Sequence, residues 1–161
     1  MIKAILSLAL ALAMAPGLVA AQKSYTAQEI ANMSGRVYNR EVRREVVQGP
    51  TMTRKDVGPD GIGYAIWGYK DGDAEVFRLV ALMGTDRIEV NSIGFEGFSG
   101  RPQFSIPKGT GNIQIDFSRA IYDHGWRNGL TVTLVGQETR SFTVPKEYFQ
   151  GHRAWWRATY Q

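Results

Sequence analysis

Two histidines, His124 and His152, and no cysteine leave this chain little reactive chemistry to draw on. Thiol nucleophiles and metal sites built from Cys and His clusters are excluded, and no H-E-x-x-H pattern is present. Gly109-Thr110-Gly111 is too short for a dinucleotide fingerprint, and no G-x-x-x-x-G-K follows a strand. Gly97-Phe98-Ser99-Gly100 has half the form of a nucleophile elbow, but Arg101 stands where the last glycine belongs, so a turn is expected. Asp123-His124 could pair a base with a carboxylate, with Ser118 or Ser99 as nucleophile. The simpler reading places the His124 imidazole at the negative end of a short helix. Asp71, Asp73 and Glu75 alternate as calcium ligands could, yet one turn supplies all three, which favours a solvated hairpin tip. No catalytic constellation, metal site or cofactor is therefore expected. Asp56, Asp60 and Glu96 on glycine-rich loops remain as carboxylates for acid and base work in a rival reading.

The most suggestive feature is the aromatic and basic tail, which holds Trp155, Trp156 and Tyr160 together with His152, Arg153 and Arg157. Flat amphipathic rings beside guanidinium groups can stack on sugars, sit at a membrane interface or anchor a protein. On a strand the adjacent tryptophans face opposite sides, so one of the two is expected to close the core. The expected contact surface combines Trp155, Trp156, Arg157 and Tyr160 with Phe98 and Arg101 of the Phe95 to Arg101 loop, and with the Gly58 to Gly61 loop.

The elements that would position these residues read as mainly β. A short helix opens the domain, with Thr26 as N-cap, Glu29 completing a capping box and Tyr25 set against Ile30 as a staple; Ser34-Gly35 stops it. Arg36 to Val47 would stack like charges as a helix and is expected as one strand, with Tyr38, Val42 and Val46 on one face. Gln48 to Ile62 reads as a loop rich in Gly, Pro and Asp. Tyr64 to Tyr69 and Glu75 to Met83 flank an Asp-Gly turn, a hairpin signature. Strands are expected at Arg87 to Phe95, Gln103 to Ile106 and Asn112 to Phe117. Ser118 caps a brief helix that Gly125 ends, Leu130 to Val135 and the Phe142 to Val144 run form a second hairpin, and Pro145 starts a last helical turn that Gly151 stops. The tail from Arg153 is open between strand and helix. Short strands with frequent turns imply an antiparallel β-sandwich or a small closed barrel with two or three short helices.

The first residues form a secretory leader. Lys3 gives a positive start, Ala4 to Ala15 is apolar apart from Ser7, and Pro16-Gly17 breaks the run; cleavage is expected after Ala21. The run is shorter than the ~20 apolar residues of a spanning helix. Removing residues 1–21 from the 161 leaves 22–161, a single domain of 140 residues with 18 basic and 15 acidic residues and a net charge of +3. An exported chain without cysteine must be stabilised by packing and sheet hydrogen bonds, and this absence tilts the source toward bacteria and the address toward the periplasm or the medium.

The order Phe104 to Pro107, Ile113 to Tyr122, Trp126 to Leu134 and Val144 to Gly151 resembles the C-terminal part of the invasion-associated locus B-like proteins. The resemblance implies an exported bacterial β-sandwich and transfers no catalytic residue; the cysteines many members carry are missing here.

These readings together point to a non-enzymatic binding module of the bacterial envelope, with an envelope protein or polysaccharide as partner and no nucleic acid. A carboxylate-dependent envelope hydrolase or lyase and a small proteinaceous enzyme inhibitor are the alternatives. Nothing in the sequence sets the oligomeric state.

Overall fold

The computed structural model describes residues 23–84, 89–100 and 102–161. The expected leader, Arg101, and Arg87 and Ile88 of an expected strand lie outside them.

Helix α1 (Ala27–Met33) begins as its capping box requires: the Thr26 hydroxyl accepts from the Glu29 N–H at 3.2 Å, and the Glu29 carboxylate accepts from the Thr26 N–H at 2.8 Å. The single strand expected from Arg36 to Val47 is instead a hairpin of β1 (Gly35–Asn39) and β2 (Arg44–Gln48). The chain reverses there because Asn39 Oδ1 accepts from the Glu41 N–H at 2.9 Å and Arg43 takes a φ of 53°, a turn made without glycine. The expected loop then contains a short helix, α2 (Arg54–Val57), held by a second capping box between Thr53 and Asp56.

Strands β3 (Gly63–Asp71) and β4 (Ala74–Leu82) pair along their whole length around Gly72, whose φ of 61° the Asp-Gly turn requires. They are followed by β5 (Val90–Phe95), β6 (Phe104–Ser105), β7 (Asn112–Phe117), α3 (Arg119–Asn128), β8 (Leu130–Gly136), β9 (Thr139–Val144) and α4 (Lys146–Tyr160). Among the described residues the strands form two antiparallel sheets, ordered β1-β2-β3-β4-β7-β6 and β5-β8-β9. The fold is a β-sandwich with short helices, and the sheets do not close into a barrel.

Alternating side chains of both sheets meet in one core. Phe77, Leu79 and Ala81 of β4, Ile113 and Ile115 of β7, and Leu130, Val132 and Leu134 of β8 are all buried in it. The helices lay aromatic rings on this layer: Tyr122 of α3 stacks on Phe77 with centroids 4.2 Å apart, and Trp156 of α4 tilts against the same ring at 4.6 Å.

Gly125 and Gly151 do not end helices. Each lies inside one, where another element passes too close for a side chain. A Cβ on Gly125 would stand 2.5 Å from the Phe149 ring of α4, and one on Gly151 would stand 2.6 Å from the Ala27 carbonyl oxygen of α1. Gly129, at φ 80°, ends α3, and α4 continues to Tyr160, so the tail is helix. Gly125→Ala is expected to lower the unfolding free energy by about 1–3 kcal/mol through overpacking. Gly35→Ala, whose Cβ would meet nothing within 4 Å, serves as the control in the same urea titration and should leave the midpoint close to wild type.

Candidate functional site

Helical geometry separates the two tail tryptophans. Trp156 points into the core and is fully buried, so its place in the expected contact surface is corrected: it has no surface to offer. Trp155, on the outer side of α4, is 37% exposed and donates its indole N–H to the Ala31 carbonyl of α1 at 2.7 Å. Tyr160 packs on Trp156 with centroids 4.6 Å apart, and Arg157 lies exposed beside it. Phe98 sits elsewhere, edge-on to His124 of α3 at 5.0 Å. Among the described residues no ring contact joins Phe98 to the tail.

The chemistry weighed for Asp123 and His124 is absent in the geometry. Asp123 accepts from Arg119 at 3.0 Å and from Arg153 at 3.2 Å, His124 meets Asn128 at 3.4 Å, and the Ser118 hydroxyl caps α3. Asp71 pairs with Arg44 and Glu75 with Arg119, which ties two of the three alternating carboxylates to different arginines. Asp60 and Glu96 are exposed on separate loops.

A different site is assembled from three distant segments. Residues 23–26 before α1, the α2 segment with the start of β3, and the first turn of α4 enclose a cleft of about 510 Å³, a size that suits a small organic ligand. Its apolar lining includes Ile30, Met52, Val57 and Pro145. Asp56 anchors the polar side. Its Oδ1 accepts from the Tyr25 hydroxyl at 2.5 Å, and its Oδ2 accepts from the Thr53 N–H at 2.8 Å and the Thr53 hydroxyl at 2.9 Å. The Tyr25 and Thr53 bonds hold this carboxyl below the usual aspartate range, so it stays ionised. The Lys23 backbone N–H bonds the Asp56 carbonyl at 3.0 Å, and the Lys23 ammonium stands 4.6 Å from the centre of the Tyr25 ring.

Three tyrosines line the cleft in different states. Tyr25 is bound to Asp56. Tyr148 has both roles of its hydroxyl in use, accepting from the Ile66 N–H at 3.0 Å and donating to the Pro50 carbonyl at 2.7 Å. Tyr64 differs. Only 2% of the residue is exposed, it lines the cleft, and its hydroxyl makes no hydrogen bond among the described residues. Burial, with smaller contributions from Asp56 and Tyr25, drives its pKa far above that of a free tyrosine, so it presents a neutral hydroxyl. A ligand's hydrogen bond to this hydroxyl would contribute about 0.5–1.5 kcal/mol net. Glu147, half-buried in the first turn of α4, also lines the cleft and has no hydrogen bond or ion pair among the described residues.

Of these residues only Asp56 stands out in the sequence, and for a different reason. The Thr53-x-x-Asp56 box could have revealed α2, but no local pattern unites positions 23, 64 and 147. Comparison with models of protein families, with curated proteins and with solved structures found no match for this chain.

Proposed function

We propose that this chain is an exported binding module of the bacterial envelope that holds a small ligand in the Tyr64 cleft. The observation that carries this reading is the cleft of about 510 Å³ itself, with Tyr64 in its lining and no hydrogen bond to the Tyr64 hydroxyl among the described residues. The leader-like N-terminus and the resemblance to invasion-associated locus B-like proteins support the address. The absence of a cysteine staple agrees with a domain stabilised by its core and sheets alone.

The hydrolase reading draws on the presence of Asp56 and Glu147 in the same cleft. Acid and base work needs a carboxyl group that exchanges its proton near the working pH. Asp56 instead accepts two hydrogen bonds from Thr53 in the capping box of α2 and one from Tyr25, and is held ionised. Binding is therefore the better-supported role. The native protein, dialysed against the small-molecule fraction of the envelope and then denatured, should release a compound that a Ser24→Trp variant does not retain. Ser24 is exposed and lines the cleft, so tryptophan there obstructs it without entering the core. Equal retention by both proteins would remove the cleft from the account.

A further inference from the structure

The charges and rings around the cleft define what it would hold. Two carboxylates, Asp56 and Glu147, line it against one ammonium, Lys23, so the cleft is net negative in a chain whose formal charge is +4. Tyr25, Tyr64 and Tyr148 line it as well; Tyr148 is fully buried and Tyr64 is 2% exposed, so the half-buried Tyr25 is the ring among them whose face can attract a cation through its quadrupole. The cleft already shows this chemistry, since the Lys23 ammonium sits over the Tyr25 ring beside Asp56. Lys23 thus accounts for the Asp56 side of the cleft. Among the described residues the Glu147 carboxylate and the Tyr64 hydroxyl have no hydrogen-bond or ion-pair partner, and apolar Met52 and Val57 share the lining with them.

Resting on the binding role proposed above, we infer that the cleft takes a small organic cation, an ammonium group carried on an apolar body. The ammonium meets Glu147, and the body lies against Met52, Val57 and Ile30. A polar substituent on the ligand can bond the Tyr64 hydroxyl. An anion of the same shape would face Glu147 and Asp56 without compensation.

The test uses three probes of similar shape and different charge: benzyltrimethylammonium, benzyl alcohol and phenylacetate, each titrated calorimetrically into the native protein. The expected result is saturable binding of the cation at least tenfold tighter than of the other two, a difference of about 1.4 kcal/mol. Glu147→Gln should abolish that preference. Lys23→Ala frees the Tyr25 ring and should tighten the cation about two- to fivefold, a gain that general damage to the fold would not produce. If benzyl alcohol or phenylacetate binds as well as the cation, the cleft remains a ligand site and the charge assignment falls. If none of the three binds at millimolar concentration while the envelope compound is still retained, the cation inference alone falls. Failure of both experiments overturns the cleft itself.

Discussion

Trp156→Ala is expected to destabilise the protein by about 3–5 kcal/mol, a large part of the stability of a domain this size. The indole is fully buried against Phe77 of β4 and Tyr160 of its own helix, so its removal opens a cavity where α4 meets the sheet. Its Nε1 has no hydrogen-bond partner among the described residues. Trp156→Phe therefore removes an unpaired buried donor together with some volume, and should cost clearly less than alanine. Trp155→Ala provides the contrast one residue away. It removes a half-exposed ring and one hydrogen bond to Ala31, worth about 1 kcal/mol. Urea unfolding of the three variants checks the order; greater damage from Trp155→Ala than from Trp156→Ala would contradict the placement of α4.

The second large effect is a loss of stability in mild acid. His152 is fully buried, with Nδ1 accepting from the Tyr122 hydroxyl at 2.7 Å and Nε2–H donating to the Val47 carbonyl at 3.1 Å. Burial lowers its pKa from 6.5 to about 4, the Val47 bond opposing only in part. The folded state keeps the ring neutral while the unfolded chain protonates it below pH 6.5. Stability is thus fully present above that value and declines as pH falls toward 4, by about 3 kcal/mol over the interval. His152→Gln should be less stable at neutral pH and should lose most of this slope between pH 6.5 and 4.5. The lowered carboxyls of Asp56 and Glu29 act at lower pH, since their contribution is present above the ordinary carboxylate range and fades as pH falls through their folded values. An unchanged slope in His152→Gln would assign the acid sensitivity to other groups.

Trp156 and His152 also mark where the sequence is opaque. Local chemistry predicts local structure well here: the Thr26 and Glu29 box sets the start of α1, the Asp-Gly turn sets the β3–β4 hairpin, and Asn112 to Phe117 is a strand as the alternation implies. It fails where a distant element decides. Gly125 and Gly151 have the local appearance of helix stops, and only the proximity of Phe149 and of α1 explains why glycine lies inside a continuing helix. The β1–β2 turn was hidden because Arg43 takes the left-handed backbone usually given to glycine or asparagine. The tail residues carry an aromatic signal that helical geometry divides, sending Trp156 inward and Trp155 outward. The cleft was least legible, because it joins positions 23, 64 and 147, which only the packed sandwich brings together.

Those three positions line one cleft, and tyrosine-selective NMR observes its Tyr64 directly. With tyrosine labelled with carbon-13 at Cζ, titration of the native protein with the small-molecule fraction of its envelope should move the Tyr64 resonance and leave that of Tyr148, whose hydroxyl already has both partners, nearly fixed. A titration that moves the Trp155 indole resonance and leaves Tyr64 in place would put the ligand on the outer face of α4 and contradict the account.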